Sequence, residues 1–462
     1  MPVLTGQYHV GVLFLGSVDV AEARRWNCIQ ARLRDLTFRL IRQLGTCEVV
    51  LQHRCKTLLC WKMSRITDWA KLPVTLTELC LATTLRCGQS FRWKQRDDQT
   101  WTCVLRGRIL QLDQDETHLR YRSIWPVVDS TSLTPPPSIP PEDHDDTKQL
   151  LKHYLNLTPN LEDLYRQWSE SDQNFKRKAP KFTGVRILRQ DAWEALVGFI
   201  CSSKNNIIRI SQMVDKLCTH YGTYIATFDD RRYHDFPSPD ALTGDAVEGH
   251  LRELGFGYRA KYIAKTARMI ANDRGHAWLN SLQNPENPIY GQAPGVVEEM
   301  KPEGRDGYRE AHSRLLELQG VGPKVADCVC LMGLGWGEAV PIDTHVWQIA
   351  QRDYKLGKGK HSSLTKATYD AIANHFRKVW GKEAGWAHSV LFTADLKVFA
   401  ERLEATAIVK KEEEGAAPDL AAITVTQSVV KAEPEDKNVK RVVELDETTI
   451  SSSERVKRRR RK

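Results

Sequence analysis

Cysteine is absent after Cys330, and the chain's eleven cysteines are scattered and odd in number. No disulfide framework emerges from such spacing, so reduced thiols in an intracellular protein are expected. Histidines such as His345 and His388 have no ligand partners at zinc-like spacing, which argues against a metal site. Long apolar runs are missing too. The Val10 to Leu15 run is far below the roughly 18 residues a membrane span needs, so no membrane partner is expected. Asp19 and Glu22 follow it at once without a small-residue cleavage pattern, against a secretory signal. The formal charge of +9 on 462 residues fits a polyanionic partner but is too modest to identify one. What remains is a chain whose 41% hydrophobic content allows two or three domains with real cores.

The stretch LLELQGVGPKVADCVCLMGLGWGEAVPIDTHVWQIAQRDY, residues 315–354, carries the chemistry. Leu315, Leu316 and Leu318 end one helical pattern. Gly320-Val321-Gly322 then supplies two residues that tolerate positive φ, and Pro323 suits the first position of a new helix. Val325, Cys328, Val329 and Met332 recur behind it at helical spacing. Such a hairpin points free N–H groups outward and can grip a phosphate backbone. Lys324 falls in the new helix's first turn, where the positive end of the macrodipole disfavours an ammonium, and a lysine made neutral is a nucleophile. Taken alone, GxGxK reads better as a phosphate contact. Asp343 precedes the pattern of Val346, Trp347, Ile349 and Ala350 and looks like an N-cap. A hairpin, a helix and a short return can bring its carboxylate beside Lys324, where it would stabilise a developing positive charge. That pairing raises the catalytic reading of both.

GVGPKVADCVCLM followed by VPIDTHVW resembles the helix-hairpin-helix DNA glycosylases, the eukaryotic 8-oxoguanine glycosylases in particular. The resemblance covers roughly residues 63–397. It implies a bifunctional enzyme acting on damaged double-stranded DNA, with Lys324 attacking the sugar and Asp343 as its electrostatic partner. It implies no iron-sulfur cluster, since the endonuclease III type needs four cysteines after the aspartate helix and none are present. A structural monovalent cation at the hairpin is the only cofactor expected. CGQSFRW, residues 87–93, resembles the family's N-terminal signature, whose glycine carbonyl reads the N7 hydrogen of an oxidised guanine. Gly88 matches that glycine, though alone it would read as a strand glycine. CSSKNNIIRI, residues 201–210, resembles the loop that fills the space left by a flipped base. Arg209 matches the cytosine-reading arginine and Asn205 an asparagine of that loop, whereas Lys204 replaces another. Tyr258 and Arg259 match a wedge tyrosine and a second cytosine reader; alone they read as a solvated helix start. Phe392 matches the residue that stacks on the base, and His388 stands where the family has a glutamine. Cys328, Pro341 and His345 complete the implied pocket, with Gly320 and Gly322 on the DNA backbone.

The organisation expected is α+β: an antiparallel β domain over 63–146, then a mostly helical domain over 147–403 with the helix-hairpin-helix at 315–334. Strands are predicted at Ser90 to Trp93, Trp101 to Leu105, Arg108 to Leu112 and Leu119 to Ile124. Residues 127–146 form a proline-rich acidic loop. Asp191 and Glu194 are spaced as a capping box, and an insert rich in proline and glycine spans 284–307. Residues 1–62 are expected to be an extension before a native start at Met63. Residues 404–462 read as a disordered tail ending in RVKRRRRK, a nuclear address or a DNA-gripping arm, with the mitochondrion as a second compartment. A monomer is expected. A monofunctional relative would need no hairpin lysine, and a non-catalytic DNA-binding module would need neither Lys324 beside Asp343 nor a base pocket.

Overall fold

The computed structural model describes residues 65–399 apart from 97, 127–144, 297 and 357–363. The N-terminal extension, most of the acidic loop and the basic tail lie outside the described residues.

Six strands form one antiparallel sheet: β1 (Arg65–Ile66), β2 (Ala70–Pro73), β3 (Lys94–Gln95), β4 (Trp101–Leu105), β5 (Arg108–Gln114) and β6 (His118–Trp125). β1 and β2 pair with successive parts of β6, and β5, β4 and β3 follow outward. β4 turns into β5 through Arg106 and Gly107, at φ 47° and 73°, and two positive φ values in a two-residue loop match the twist of the flanking strands. Alternate side chains leave by opposite faces. Cys103, Leu105, Leu110 and Leu112 face helices α1 (Leu81–Thr84) and α2 (Thr147–Tyr154). Val104, Ile109 and Ile124 meet Ile225 and Ala226 of a second hairpin, β7 (Tyr224–Phe228) and β8 (Arg231–His234).

One predicted strand is not a strand. Ser90–Trp93 makes no ladder: Gln89 just before it is tied to the chain at 186–190, and Arg92 within it pairs with Glu194 and Asp235. The Gln89 amide donates to the Arg186 carbonyl and accepts from the Leu188 N–H, and Gln190 donates to the Gln89 carbonyl. Those bonds satisfy the amide and the carbonyl of the buried Gln89 outside any ladder.

The helices that follow share one apolar core. They are α3 (Leu161–Ser171), α4 (Gln173–Lys178), α5 (Ala192–Cys201), α6 (Ile207–Tyr221), α7 (Val247–Glu253), α8 (Arg259–Arg268, continued by a wider turn to Arg274), α9 (Trp278–Ser281), α10 (Asp306–Leu316), α11 (Pro323–Met332), α12 (Thr344–Asp353), α13 (Lys366–Trp380) and α14 (Ala384–Asp395). Asp191 caps α5 by accepting from the Glu194 N–H. The reciprocal half of the expected capping box is missing, since the Glu194 carboxylate pairs with Arg92 at 2.7 Å. Among the described residues no helix is long and apolar enough to cross a membrane.

The insert is held at both ends. Asn284 bonds the Leu334 and Gly335 carbonyls, and Arg305 pairs with Glu338, so the segment braces the return that leads from α11 to Asp343.

Candidate active site and DNA-binding face

Helices α10 and α11 meet in the expected hairpin, but only one of its glycines uses the left-handed region. Gly320 sits at φ 79°, where a Cβ would also lie 2.5 Å from the Tyr262 ring. Gly322 lies at φ −100° and caps α11 from an extended conformation that any residue can adopt, with open space where its Cβ would stand. Pro323 occupies the first position of α11, and its missing N–H costs nothing there.

Lys324 projects from that first turn into the molecule. Its Nζ donates to Ser202 Oγ at 3.2 Å and stands 4.8 Å above the centre of the Phe199 ring. Asp343 does cap α12, accepting from the His345 and Val346 N–H groups at 2.9 Å through a single oxygen, Oδ1. Lys324 and Asp343 line one cavity of about 60 Å³. Gly88, Cys328, Pro341, His388 and Phe392 line it with them. Gly88 has φ 82°, a conformation that favours glycine and takes it out of any strand. Burial pushes the Cys328 thiol up to about 11, with Lys324 opposing the shift. Burial likewise holds His388 down at about 4, against the attraction of Asp343. His345 is exposed at the start of α12, its ring edge-on to Phe392 at 6.2 Å, and does not line the cavity.

The other DNA-facing candidates cluster around an open cleft lined by Ser203, Lys204, Tyr258, Tyr262 and the hairpin from Gly320 to Gly322. Lys204 and Arg209 are exposed, and Tyr258 is 46% exposed. Two residues expected to read DNA are turned inward here. Arg259 is buried, its guanidinium bonded to the Ser203 and Lys204 carbonyls and stacked over Tyr258. Asn205 donates to the Cys201 carbonyl. Both hold the 202–206 loop in shape by bonding its carbonyls and the carbonyl of Cys201 just before it.

The 8-oxoguanine DNA glycosylase N-terminal domain model matches residues 71–196, and the HhH-GPD superfamily base excision DNA repair model matches 197–380. The N-glycosylase/DNA lyase of Saccharomyces cerevisiae is 36% identical over 80% of this chain and 98% of its own length. This chain belongs to the 8-oxoguanine DNA glycosylase family. It is a DNA repair N-glycosylase with associated lyase activity. The N-glycosylase/DNA lyase OGG1 of Arabidopsis thaliana is 35% identical over 71% of this glycosylase and 80% of the plant protein. Among solved structures, MBOgg1 in complex with a low-affinity DNA ligand aligns over 72% of this chain and 98% of its own, at 25% identity and a TM-score of 0.54. The apo 8-oxoguanine glycosylase/lyase of Clostridium acetobutylicum shares the fold at 23% identity and a TM-score of 0.55, over 72% and 99% of the two chains.

Several residues of the glycosylase's cavity escaped sequence reasoning. Gln89, Phe199, Met332 and Thr393 are lining residues, and Ser202 is the partner of the lysine. Ser202 lies inside CSSKNNIIRI, so its proximity to the hairpin was the missing information.

Proposed function

We propose that this glycosylase excises 8-oxoguanine and related oxidised purines paired with cytosine, with Lys324 as nucleophile. The observation that carries the reading is the convergence of Lys324 and Asp343 on one cavity that Gly88, His388 and Phe392 also line. Lysine Nζ forms a bond to C1′ as the bond from C1′ to the base breaks, and the electron pair leaves with the base, which takes up a proton. The new amine loses a proton, and its lone pair forms the C1′–N double bond as the C1′–O4′ bond breaks and O4′ takes up a proton, which leaves a ring-opened Schiff base. Removal of a C2′ proton then expels the 3′ phosphate by β-elimination. Asp343 offsets the positive charge that grows on the sugar as the base departs.

Discrimination rests on Gly88, whose carbonyl accepts from the N7 hydrogen of the oxidised base and meets a lone pair in undamaged guanine. Phe392 stacks on the base, His388 faces its pairing edge and Cys328 and Pro341 form walls, while His345 acts only through its edge-on contact with Phe392. Lys204, Asn205, Arg209, Tyr258 and Arg259 engage the emptied stack and the orphaned cytosine. Arg259 and Asn205 must first exchange their loop carbonyls for DNA. Gly320 and Gly322 lie along the backbone. A monovalent cation there would draw on hairpin carbonyls; that of Gln319 already accepts from the Thr266 hydroxyl and keeps one lone pair. We place the enzyme in the nucleus, with the mitochondrion as a second site, acting as a monomer.

Borohydride reduction during incubation with an 8-oxoguanine:cytosine duplex should trap a covalent adduct that Lys324→Gln abolishes while folding is unchanged. Persistence of the adduct in that variant overturns the assignment. Asp343→Asn keeps a capping acceptor for α12 but removes the charge, so it should slow base release by about 10²-fold or more with little change in duplex affinity.

A further inference from the structure

Asp327 follows Lys324 by three positions on α11 and is 1% exposed. It turns away from the cavity. Tyr308 of α10 donates to one of its oxygens at 2.6 Å, and Tyr369 of α13 donates to the other. The Tyr369 oxygen does more than that. It also accepts the Ile342 N–H at 3.2 Å, in the extended return one residue before Asp343. No strand pairs with that return, so this N–H depends on the phenol for its partner. A single oxygen thus links the helix that presents the lysine to the segment that presents the carboxylate.

We infer that Tyr369 is a positioning residue for the reaction, setting Lys324 against Asp343 by bridging Asp327 to the Ile342 N–H. The inference rests on that pair being the reacting one. Tyr308 makes an equally buried bond to the same carboxylate, and its ring packs under Arg377 of α13, but its hydroxyl makes no bond to the return, so it shares the structural burden without joining the two halves of the site. Burial raises the Asp327 carboxyl above the ordinary range, which makes each phenol donor matter to its charged form. Reacting groups displaced by about 1 Å can lose about 10²-fold in rate even when the change lies away from the chemistry. Substitution of tyrosine by phenylalanine keeps the ring and its packing and removes only the oxygen.

The test compares Tyr369→Phe with Tyr308→Phe, each measured for thermal stability, affinity for an uncleavable damaged duplex and single-turnover base release. Both variants should lose stability to a similar degree. Tyr369→Phe alone should slow base release by about 10-fold to 10²-fold at saturating DNA, with affinity changed by about 2-fold or less. Equal slowing in both variants, or full rate in Tyr369→Phe, would leave the bridge a structural tie only. Failure of the proposed nucleophile is read separately: Lys324→Gln would still form the adduct, whatever the tyrosines do.

Discussion

The His388 imidazole is 5% exposed, and neither of its ring nitrogens makes a well-formed hydrogen bond, the Gly385 backbone offering a weak one that favours the charged ring. A buried ring so weakly bonded on a cavity wall is costly unless a ligand completes it, and a neutral imidazole offers a bound base one donor and one acceptor. Its charged form is disfavoured by burial, so the folded protein keeps it neutral down to about pH 4, while the unfolded chain protonates it near 6.5. Between those values the unfolded state binds more protons. The linked stability is therefore present above pH 6.5 and lost as pH falls toward 4, by an amount on the order of 3 kcal/mol. His153 is also held down at about 4, so the wild-type slope is not due to one ring. Urea denaturation at pH 7 and pH 4.5 should show a smaller loss for His388→Gln than for wild type. Parallel pH profiles in the two proteins would mean that His388 titrates normally and is solvated.

At the scale of the element, the hairpin separates two glycines that look alike in the sequence. Gly320→Ala must leave the left-handed region or press into Tyr262, so it should displace the hairpin and weaken binding to damaged and undamaged duplex alike by at least about 10-fold, on the scale of strain at such sites. Gly322→Ser needs no backbone change and adds a capping oxygen, so stability should stay level or rise by up to about 1 kcal/mol. If both substitutions weaken binding equally, close approach of phosphate rather than φ explains the motif. The start of α11 and the cap of α12 were readable because Pro323 and Asp343 act through bonds to residues a few positions away. β4, β5 and β6 were readable for the same reason, as alternation is local. Ser90–Trp93 was misread because its partners lie about a hundred residues on, and the Glu194 half of the capping box failed because Arg92 competes for the carboxylate. The hairpin β7–β8 turns at Asp229-Asp230, φ 47° and 57°, where neither residue is the glycine that would announce such a turn. The inward turn of Arg259 depends on loop carbonyls that no local pattern reveals.

For the whole molecule, the insert at 284–307 connects parts that the sequence treats as separate. Tyr290 packs with the sheet's helical face and donates to Asp146, which also holds Arg108. At the other end Arg305, 2% exposed, binds both oxygens of the fully buried Glu338 at 2.8 and 2.7 Å and reaches Glu286, which Lys382 also holds. The guanidinium lies over Trp336, whose own N–H bonds the Leu282 carbonyl. The brace therefore runs from the sheet, through the insert, to the return that carries Asp343. Deleting one member of such a pair strands a buried charge, so Arg305→Ala should cost about 3–5 kcal/mol in urea denaturation. Replacing both partners with apolar residues, Arg305→Met with Glu338→Leu, should recover most of that loss, because a buried pair and a well-packed apolar pair are often equivalent in stability. A solvated loop would behave differently: Arg305→Ala would then change stability by no more than about 0.5 kcal/mol, and the double substitution would restore nothing.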